Sequence, residues 1–453
     1  MNAASARLQR SDPDPLRRAP EAAAMAAESC HSRSISWFVK SCIPADPSRH
    51  ISVPAPMPVP ITAPAPAPST TTFCPPAQPP PPPISSLPDD LILECLVRVP
   101  RASLPPLPAV GRRFADLLAS HAFLQLRRAR GLLQPSLLAL SVPDHGGGAF
   151  AQALLHFRPG QPQQVQVSAL PLPPALLHCG GSVFAHARAV ALGRDVFLVG
   201  RGATLRVDAL TGAARACAPT LFPRKKFAAA AVGGRIYVAG GSARTAAVEE
   251  YDPAADAWRV VAEAPRRRYG CAGAGAGGVF YVAGGVAVSG DGARALEAHV
   301  CAGSVDALHV ASGAWARPRA LPGGGCVVGA CGVGDHLYVV ASHAVELSFW
   351  RWHGGAGRGS DLRAGGGWVA LEAPPMPRGS VGLGMAVRVA MVGIGLETVT
   401  AVMSAAAVRG HNAAVACPFE GMVLAYDIAG GKWIRAPDLP HGFRRAACAG
   451  VEC

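Results

Sequence analysis

The sequence predicts a mainly β protein: a six-bladed β-propeller preceded by a small three-helix module and a disordered N-terminal region. Three observations lead to this prediction. Residues 44–83 are dominated by proline, alanine, serine and threonine, residues 87–126 carry apolar side chains at helical spacing, and glycine doublets recur 44 positions apart further along the chain. A fixed period of this length, combined with alternating strand patterns, is typical of propeller blades.

The first 84 residues are predicted to be a disordered, Pro/Ala/Ser-rich region. Its composition favours extended polyproline conformation and cannot bury a core. The segment from Ser32 to Pro44 stands out because it carries the apolar trio Trp37, Phe38 and Val39. This trio is either incidental or a short linear motif for a partner, and its role stays open.

Residues 85–131 are predicted to form three short helices. Pro88 and the acidic pair Asp89 and Asp90 suit a first helical turn, through a fixed φ and a favourable interaction with the helix dipole. Apolar residues follow at near-helical spacing in three sets: Leu87, Leu91, Leu93, Leu96 and Val97; Leu107, Val110, Phe114, Leu117 and Leu118; Phe123, Leu124 and Leu126. So small a module cannot bury all of these side chains, and part of its surface is expected to face a partner or the following domain.

This module resembles the F-box motif, through LPDDLILECLVRVP and the following SLPPLPAVGRRFADLLASHAF. The resemblance implies docking on the Skp-like adaptor of cullin-RING ubiquitin ligases. The residues that match the motif, and that the resemblance assigns to adaptor binding, are Leu87, Pro88, Leu91, Ile92, Leu96, Val99, Leu104, Leu107, Val110 and Phe114. The alternative is an unrelated helical linker.

The sequence departs from the F-box pattern in its second half. Phe114 stands where the family prefers tryptophan, and Gly111 stands where it often has cysteine or serine. Three prolines, Pro105, Pro106 and Pro108, precede the second helix. Because proline removes amide donors beyond a first helical turn, this helix is expected to begin late.

Two segments of the second half align with each other, residues 227–241 and 269–285. The glycine pairs at 233/234 and 277/278, the tyrosines at 237 and 281, and the glycine pairs at 240/241 and 284/285 are all displaced by 44 positions. Trp258 and Trp315 follow in the two units. The pattern resembles the kelch repeat, in which a glycine doublet lets strands turn and a Tyr/Trp pair fills the gap between blades.

Weaker units extend the array to six blades over residues 136–453. Strand patterns with Trp368 and Trp433 give two units downstream, a unit from Asp195 to Pro223 lies upstream, and residues from Ser136 supply three strands of the first blade. That blade lacks an innermost strand, whereas residues 444–453 look like an innermost strand without a blade. The C-terminal segment is therefore expected to close the ring and remove open sheet edges.

Composition narrows the class of protein. The mean hydropathy of +0.25 requires extensive burial, but the uncharged stretches carry glycines and strand patterns, so no transmembrane helix is predicted. The N-terminus lacks the pattern of a signal peptide. Thirteen cysteines are dispersed without any CxxC pair, which is typical of a reducing compartment, so we expect cytoplasm or nucleus. The net charge of +13 is spread along the chain without a dense basic helix, so neither nucleic acid nor membrane is an expected partner.

The residues give no positive sign of catalysis. Gly273, Gly275 and Gly278 form GxGxxG, but a dinucleotide site needs a helix after it, and a strand pattern follows here. The histidines are scattered without HxH or HExxH spacing. No catalytic residue, cofactor or metal ligand is predicted.

Basic residues cluster at the junctions between blades. All such junctions lie on one face of a propeller, because each joins an outermost strand to the next innermost one. They are Arg224, Lys225, Lys226, Arg266, Arg267, Arg268, Arg378, Arg444 and Arg445. Together they predict a basic rim for acidic or phosphorylated segments of a substrate. The alternative is that these side chains brace loops and backbone carbonyls.

The sequence as a whole predicts a non-catalytic substrate receptor of an SCF-type ubiquitin ligase, similar to the plant F-box/kelch-repeat proteins. The F-box would bind the Skp-like adaptor, and through it the cullin, while the propeller would bind a target protein of unknown identity. A kelch scaffold with a vestigial F-box and no ubiquitin transfer is the alternative. A metal-dependent enzyme is a third class that metal analysis would reveal.

Overall fold

The fold is taken from a computed structural model that describes part of the chain. The described residues are 84–141, 150–157, 164–177, 181–287, 301–316, 318–343, 346–353, 367–377, 385–407, 419–443 and 445–453. The predicted N-terminal region up to residue 83, including residues 32–44, lies outside them. The chain divides into two compact units at Arg130 and Gly131, one helical and one built of strands.

The helical unit contains three α-helices joined by 3-10 turns. They are α1 (Asp89–Arg98), α2 (Arg112–Ala119) and α3 (His121–Ala129), with 3-10 turns at Ile84–Ser86, Arg101–Ser103 and Leu107–Ala109. The second helix begins late, as predicted, because regular α-structure starts only after Pro108. Ser120 caps α3 by accepting a hydrogen bond from the Phe123 amide at 3.2 Å.

A buried arginine ties two of these helices together. Arg127 of α3 is buried, and its guanidinium donates to the carbonyl oxygens of Val97 and Val99 at 3.2 and 3.0 Å. These carbonyls lie at the C-terminal end of α1, where no further helical amide is available to them. The positive charge is also favourable there, since it faces the negative end of the helix dipole.

The strands form six antiparallel sheets arranged as the blades of a propeller, and the predicted mainly β, six-bladed fold is confirmed. From the innermost strand outwards, the first three blades are β27 (Ala447–Glu452), β1 (Pro135–Ser141), β2 (Ala151–His156), β3 (Val165–Ala169); β4 (Arg188–Leu192), β5 (Asp195–Val199), β6 (Thr204–Asp208), β7 (Ala214–Cys217); and β8 (Ala228–Val232), β9 (Arg235–Ala239), β10 (Ala247–Asp252), β11 (Ala257–Glu263).

The other three blades follow the same order. They are β13 (Ala272–Ala276), β14 (Val279–Ala283), β16 (Ser304–His309) with β17 (Ala314–Trp315) and β18 (Arg319–Ala320); β19 (Cys326–Val333), β20 (His336–Ser342), β21 (Leu347–His353), β22 (Trp368–Leu371); and β23 (Met385–Ile394), β24 (Thr398–Ala407), β25 (Met422–Asp427), β26 (Lys432–Ala436). A short ladder joins β12 (Arg268–Tyr269) to β15 (Val286–Ala287). A short helix, α4 (Pro174–Leu177), and a 3-10 turn, Gly181–Phe184, connect the first blade to the second.

The two ends of the propeller chain meet in the first blade. β27 pairs with β1 from Pro135 opposite Glu452 to Leu140 opposite Ala447. Gln134 and Cys453 continue the ladder through reciprocal backbone hydrogen bonds of 2.9 and 3.1 Å. The innermost strands neighbour one another in the order β4, β8, β13, β19, β23, β27 and back to β4, so the ring is closed.

Glycine allows the innermost strands to approach closely around the axis. A Cβ atom at Gly332 would collide with the carbonyl of Gly275 on the preceding blade, one at Gly393 with that of Gly332, and one at Gly450 with that of Gly393. The strands therefore pack backbone against backbone at this level.

Tyr/Trp pairs join neighbouring blades, as the kelch resemblance implies. In the third blade the rings of Tyr251 and Trp258 lie 5.0 Å apart, and the Trp258 indole donates to the carbonyl of Ala218, after β7 of the second blade, at 2.9 Å. The sixth blade repeats the arrangement: Trp433 packs on Tyr426 and donates to the carbonyl of Glu372, after β22, at 2.7 Å. Each indole thus fills the gap between two blades and donates a hydrogen bond to a backbone carbonyl of the neighbouring blade.

Candidate interaction surfaces

The predicted adaptor-binding residues divide into core and surface. Ile92, Leu96 and Leu104 are almost fully buried within this chain. Their assignment to direct adaptor contact is therefore wrong for this conformation, because their side chains pack inside the protein instead of facing a partner. In this structure their role is to hold the helices together.

The surface part of the predicted set is dominated by two aliphatic side chains. Leu91 is 48% exposed on α1, and Val110 is 67% exposed just before α2. Pro88 is exposed as well. The remaining predicted residues are partly buried: Leu87, Val99, Leu107 and Phe114. Protein partners commonly cover large exposed aliphatic residues. The prediction of adaptor contact therefore concerns Leu91 and Val110 above all.

Two residues of the predicted basic rim turn out to be buried braces. Arg224 pairs with Glu249 at 2.6 Å, and both side chains are wholly inaccessible. Its guanidinium also donates to the carbonyls of Gly240 and Ala247 at 2.8 and 2.7 Å. The assignment of Arg224 to a substrate rim is therefore wrong, and the alternative of a loop brace holds.

Arg268 repeats this brace one blade later. It pairs with Asp306 at 2.7 Å and donates to the carbonyls of Gly284, Cys301 and Ser304. Its side chain is as deeply buried as that of Arg224, so its assignment to the rim is also wrong. A buried guanidinium needs a carboxylate and several acceptors, and both braces have them.

The other predicted rim residues keep some access to solvent. Arg267 is exposed and donates to the carbonyl of Ala243 at 2.9 Å. Arg266 lies 3.5 Å from Asp306, so part of its charge is already compensated. Lys226 lies over the ring of Tyr269 at 5.8 Å. Lys225 is partly exposed and Arg445 exposed, while Arg378 and Arg444 lie outside the described residues.

Three residues near the same junctions were missed by the sequence analysis: His186, Arg188 and Arg388. Arg188 begins β4 and is partly exposed. Its Nε donates to the carbonyl of Phe227 at 2.8 Å, and its Nη2 donates to the carbonyl of Cys271 at 3.1 Å. Burial lowers the pKa of this guanidinium, which nonetheless stays protonated at neutral pH.

The pKa of His186 depends on the positive charges around it. Its backbone adopts a left-handed φ of 65°. Burial, together with the positive charges of Lys226, Arg388, Lys225 and Arg445, lowers the pKa of His186 to about 3. The imidazole is therefore neutral at physiological pH, and its surroundings are strongly positive.

The described residues offer no ready-made metal centre. No group of three or more histidine, cysteine or acidic side chains is placed to hold a metal ion in the described part of the chain. Gly273 and Gly275 lie on β13, where an added Cβ would collide with Ala229 and Ala231 of the preceding blade. The strand β14 follows them, so this GxGxxG is a packing feature of the blade. Within the described segments, no helix is long and apolar enough to cross a membrane.

Sequence comparison finds kelch-repeat proteins among the relatives of this chain. The Kelch motif model matches residues 223–265. The F-box/kelch-repeat protein At5g26960 of Arabidopsis thaliana is 42% identical over 434 residues, which cover 94% of this chain and all of that protein. A second Arabidopsis thaliana F-box/kelch-repeat protein, At1g67480, is 28% identical over 42% of this chain and 51% of its own length. Among solved structures, that of YjhT covers 56% of this chain and 84% of its own, at 14% identity and a TM-score of 0.41.

The fold and the Tyr/Trp-linked blades define a kelch-type propeller, here preceded by a helical module. The relationship to At5g26960 extends over nearly the whole chain and so includes both units. The protein belongs to the F-box/kelch-repeat family.

Proposed function

We propose that this protein is the substrate receptor of an SCF-type ubiquitin ligase. The observation that carries the proposal is the 42% identity to an F-box/kelch-repeat protein over 94% of the chain, since it spans the helical module as well as the propeller. In this proposal residues 85–131 are an F-box that binds a Skp-like adaptor, and residues 136–453 bind the target. Action in the cytoplasm or the nucleus stays a prediction.

The proposed mechanism is proximity. The receptor holds a target and the adaptor–cullin assembly at the same time, which raises the effective concentration of target lysines beside a conjugating enzyme recruited by other subunits. Holding the reactants together replaces a bimolecular encounter with an intramolecular one. The receptor needs no catalytic group of its own for this role.

Leu91 and Val110 are the side chains expected to contact the adaptor. Each presents an aliphatic surface to solvent in the unbound protein, and burying such surface contributes about 25 cal/mol per Å². A carboxylate placed at either position would be buried without a partner in the complex. Loss of an interface anchor typically costs about 2 kcal/mol or more, which is roughly a thirtyfold loss of affinity.

Capture of a purified Skp-like adaptor by the full-length protein tests the proposal. We expect wild-type protein to bind, and Leu91→Asp and Val110→Asp to weaken binding by roughly thirtyfold or more. Val260→Asp is the matched control, because Val260 is a similarly exposed aliphatic residue on β11 of the propeller. Leu96→Asp is unsuitable, since it places a charge at a buried position and would unfold the module.

Two outcomes would count against the proposal. Wild-type protein that captures no adaptor would favour the alternative of a kelch scaffold without ubiquitin transfer. Adaptor binding that survives both substitutions at Leu91 and Val110 would mean that the docking surface lies elsewhere. Thermal unfolding of each variant shows whether a loss of binding reflects the surface or the fold.

A further inference from the structure

One arginine extends across the innermost strands of three consecutive blades. Arg188 belongs to β4 of the second blade, and its acceptors are the carbonyls of Phe227, directly before β8, and Cys271, directly before β13. The innermost strands line the propeller axis. A side chain that passes from the second blade to the fourth therefore lies at the axis, at the end where these strands begin.

Among the residues that the structure describes, no carboxylate pairs with the guanidinium of Arg188. Both acceptors are neutral backbone carbonyls, and no described carboxylate lies within ion-pair distance of the guanidinium. Burial raises the pKa of the Cys271 thiol, so this neighbour stays neutral and leaves the positive charge in place. The braces Arg224 and Arg268, by contrast, each have a dedicated acid.

Arg188 also keeps donors available. A guanidinium has five N–H groups, and the two hydrogen bonds occupy one on Nε and one on Nη2. Three N–H groups remain without an acceptor among the described residues, and the side chain is partly exposed. The planar fork of arginine suits the bidentate binding of carboxylate or phosphate oxygens.

Other positive charges surround this position. His186, two residues before Arg188, interacts electrostatically with Lys225, Lys226, Arg388 and Arg445. Backbone hydrogen bonds fix the two lysines: the Lys225 amide donates to Gly241 and the Lys226 carbonyl accepts from Gly270. We call Arg188, Lys225, Lys226, Arg388 and Arg445 the axial basic cluster. It gathers charges from the second, third, sixth and first blades.

Two carboxylates at these blade junctions are already paired with other arginines. Glu249 forms an ion pair with Arg224, and its Oε2 accepts a hydrogen bond from the Leu221 amide at 2.6 Å. Asp306 is taken up by Arg268 and Arg266. Low-dielectric walls strengthen the positive potential of such a mouth and attract an anionic group into it.

We propose that the axial basic cluster binds an acidic segment of the target protein, with Arg188 as the anchor for a carboxylate or phosphate group. The proposal rests on the proposed function only in that the ligand belongs to a ubiquitination target. A peptide segment suits a mouth framed by six innermost strands. The anchor Arg188 lies among the innermost strands and not on an extended outer surface, which disfavours a nucleic acid.

Peptide binding to the purified full-length protein tests this site. Four fluorescent probes share one length: a Glu-rich peptide, a phosphoserine peptide, a neutral Gln/Ser peptide and a single-stranded oligonucleotide. Fluorescence anisotropy at about 0.15 M salt screens weak surface contacts. We expect one or both acidic peptides to bind at least about tenfold more tightly than the neutral peptide, and their ratio distinguishes carboxylate from phosphate.

Arg188→Gln should weaken acidic-peptide binding by about tenfold or more, since it removes charge-assisted hydrogen bonds. Arg215→Gln is the matched control: it removes the same charge from an exposed position on the outermost strand β7 and should change binding less than about twofold, because screening limits distant charges. If Arg188→Gln lowers the melting temperature, the double variant Lys225→Gln/Lys226→Gln tests the cluster instead. It should weaken acidic-peptide binding by the same factor of about ten or more.

The proposal is overturned by equal binding of acidic and neutral peptides, by equal effects of Arg188→Gln and Arg215→Gln, or by tightest binding of the oligonucleotide. Adaptor capture is measured on the same variants. Peptide binding with no adaptor capture would reject the ligase role alone. Adaptor capture without acidic-peptide binding would reject the axial site alone.

Discussion

At the scale of single residues, adjacent arginines and lysines with the same formal charge have opposite roles. Arg224 is buried against Glu249, whereas its neighbour Lys225 is partly exposed beside the axis. The same division separates Arg268 from exposed Arg267 one blade later. The buried partner of each run fixes the junction between blades, and the accessible one contributes to the charge of the propeller face.

Removing one member of a buried pair tests this division. Among the described residues, Arg224→Ala leaves the buried carboxylate of Glu249 with one backbone donor, the Leu221 amide. An uncompensated buried charge costs about 3–5 kcal/mol, so we expect a loss of that order in the free energy of unfolding, measured by urea denaturation. Lys225→Ala should change the same quantity by about 0.5 kcal/mol or less. Equal effects of the two substitutions would show that the pair does not brace the blade.

Local sequence could not separate these roles. A run of basic residues at a junction has no regular period, so nothing in it says which side chain points inwards. Arg188 and His186 were missed for a different reason: neither belongs to a run of basic residues, and the strand β4 lies ahead of Asp195, where the predicted unit begins. The sequence signal for Arg188 is an arginine at the start of a short apolar strand in an innermost position.

In the helical module, too, local sequence does not separate buried from accessible side chains. Leu91 and Ile92 are adjacent in sequence, yet consecutive helical residues lie about 100° apart around the axis, and only Leu91 is exposed. A motif match assigns both to adaptor binding. The packing of the three helices decides which one a partner can touch.

At the scale of whole elements, the repeat made the propeller predictable. The third and fourth blades keep glycine doublets, because Gly240, Gly241, Gly284 and Gly285 all adopt left-handed φ angles at the ends of β9 and β14. The fifth and sixth blades lost these doublets and were recognised through strand alternation and tryptophan. The start of α2 was predictable from three prolines, since proline sterically excludes an earlier helix.

The prediction at the scale of whole elements concerns the deletion of strand β27. Deleting residues 447–453 leaves the backbone groups of β1 unpaired along one edge and removes Gly450 from its packing against Gly393. We expect the truncated protein to lose cooperative thermal unfolding, because an open edge and an unfilled core also promote aggregation.

A peptide spanning residues 446–453 is the control for this deletion. Added in excess, it should restore a cooperative transition by pairing with β1, whereas a scrambled peptide of the same composition should not. A truncated protein that melts like the full-length chain would show that the pairing of β27 with β1 does not hold the ring together.

At the scale of the whole molecule, the proposed role depends on two binding activities within one chain. The helical module and the propeller are separate compact units, so a substitution on one is expected to leave binding by the other unchanged. Leu91→Asp should therefore weaken adaptor capture by roughly thirtyfold or more and spare acidic-peptide binding. Arg188→Gln should weaken acidic-peptide binding by about tenfold or more and spare adaptor capture. Either variant alone should fail to support ubiquitination of a target in a reconstituted ligase assay.

Mixing these two variants gives the sharpest test of proximity. If the receptor acts by tethering, an equimolar mixture of Leu91→Asp and Arg188→Gln proteins should be as inactive as either alone, because no single chain holds both target and adaptor. Effective concentration arises only within one bivalent molecule. A protein that carries both Leu91→Asp and Arg188→Gln gives the background ubiquitination activity. Wild-type protein at half the total concentration is the positive control. Recovery of activity in the mixture would mean that two copies of the receptor cooperate on one target, and that tethering by a single chain is not the mechanism.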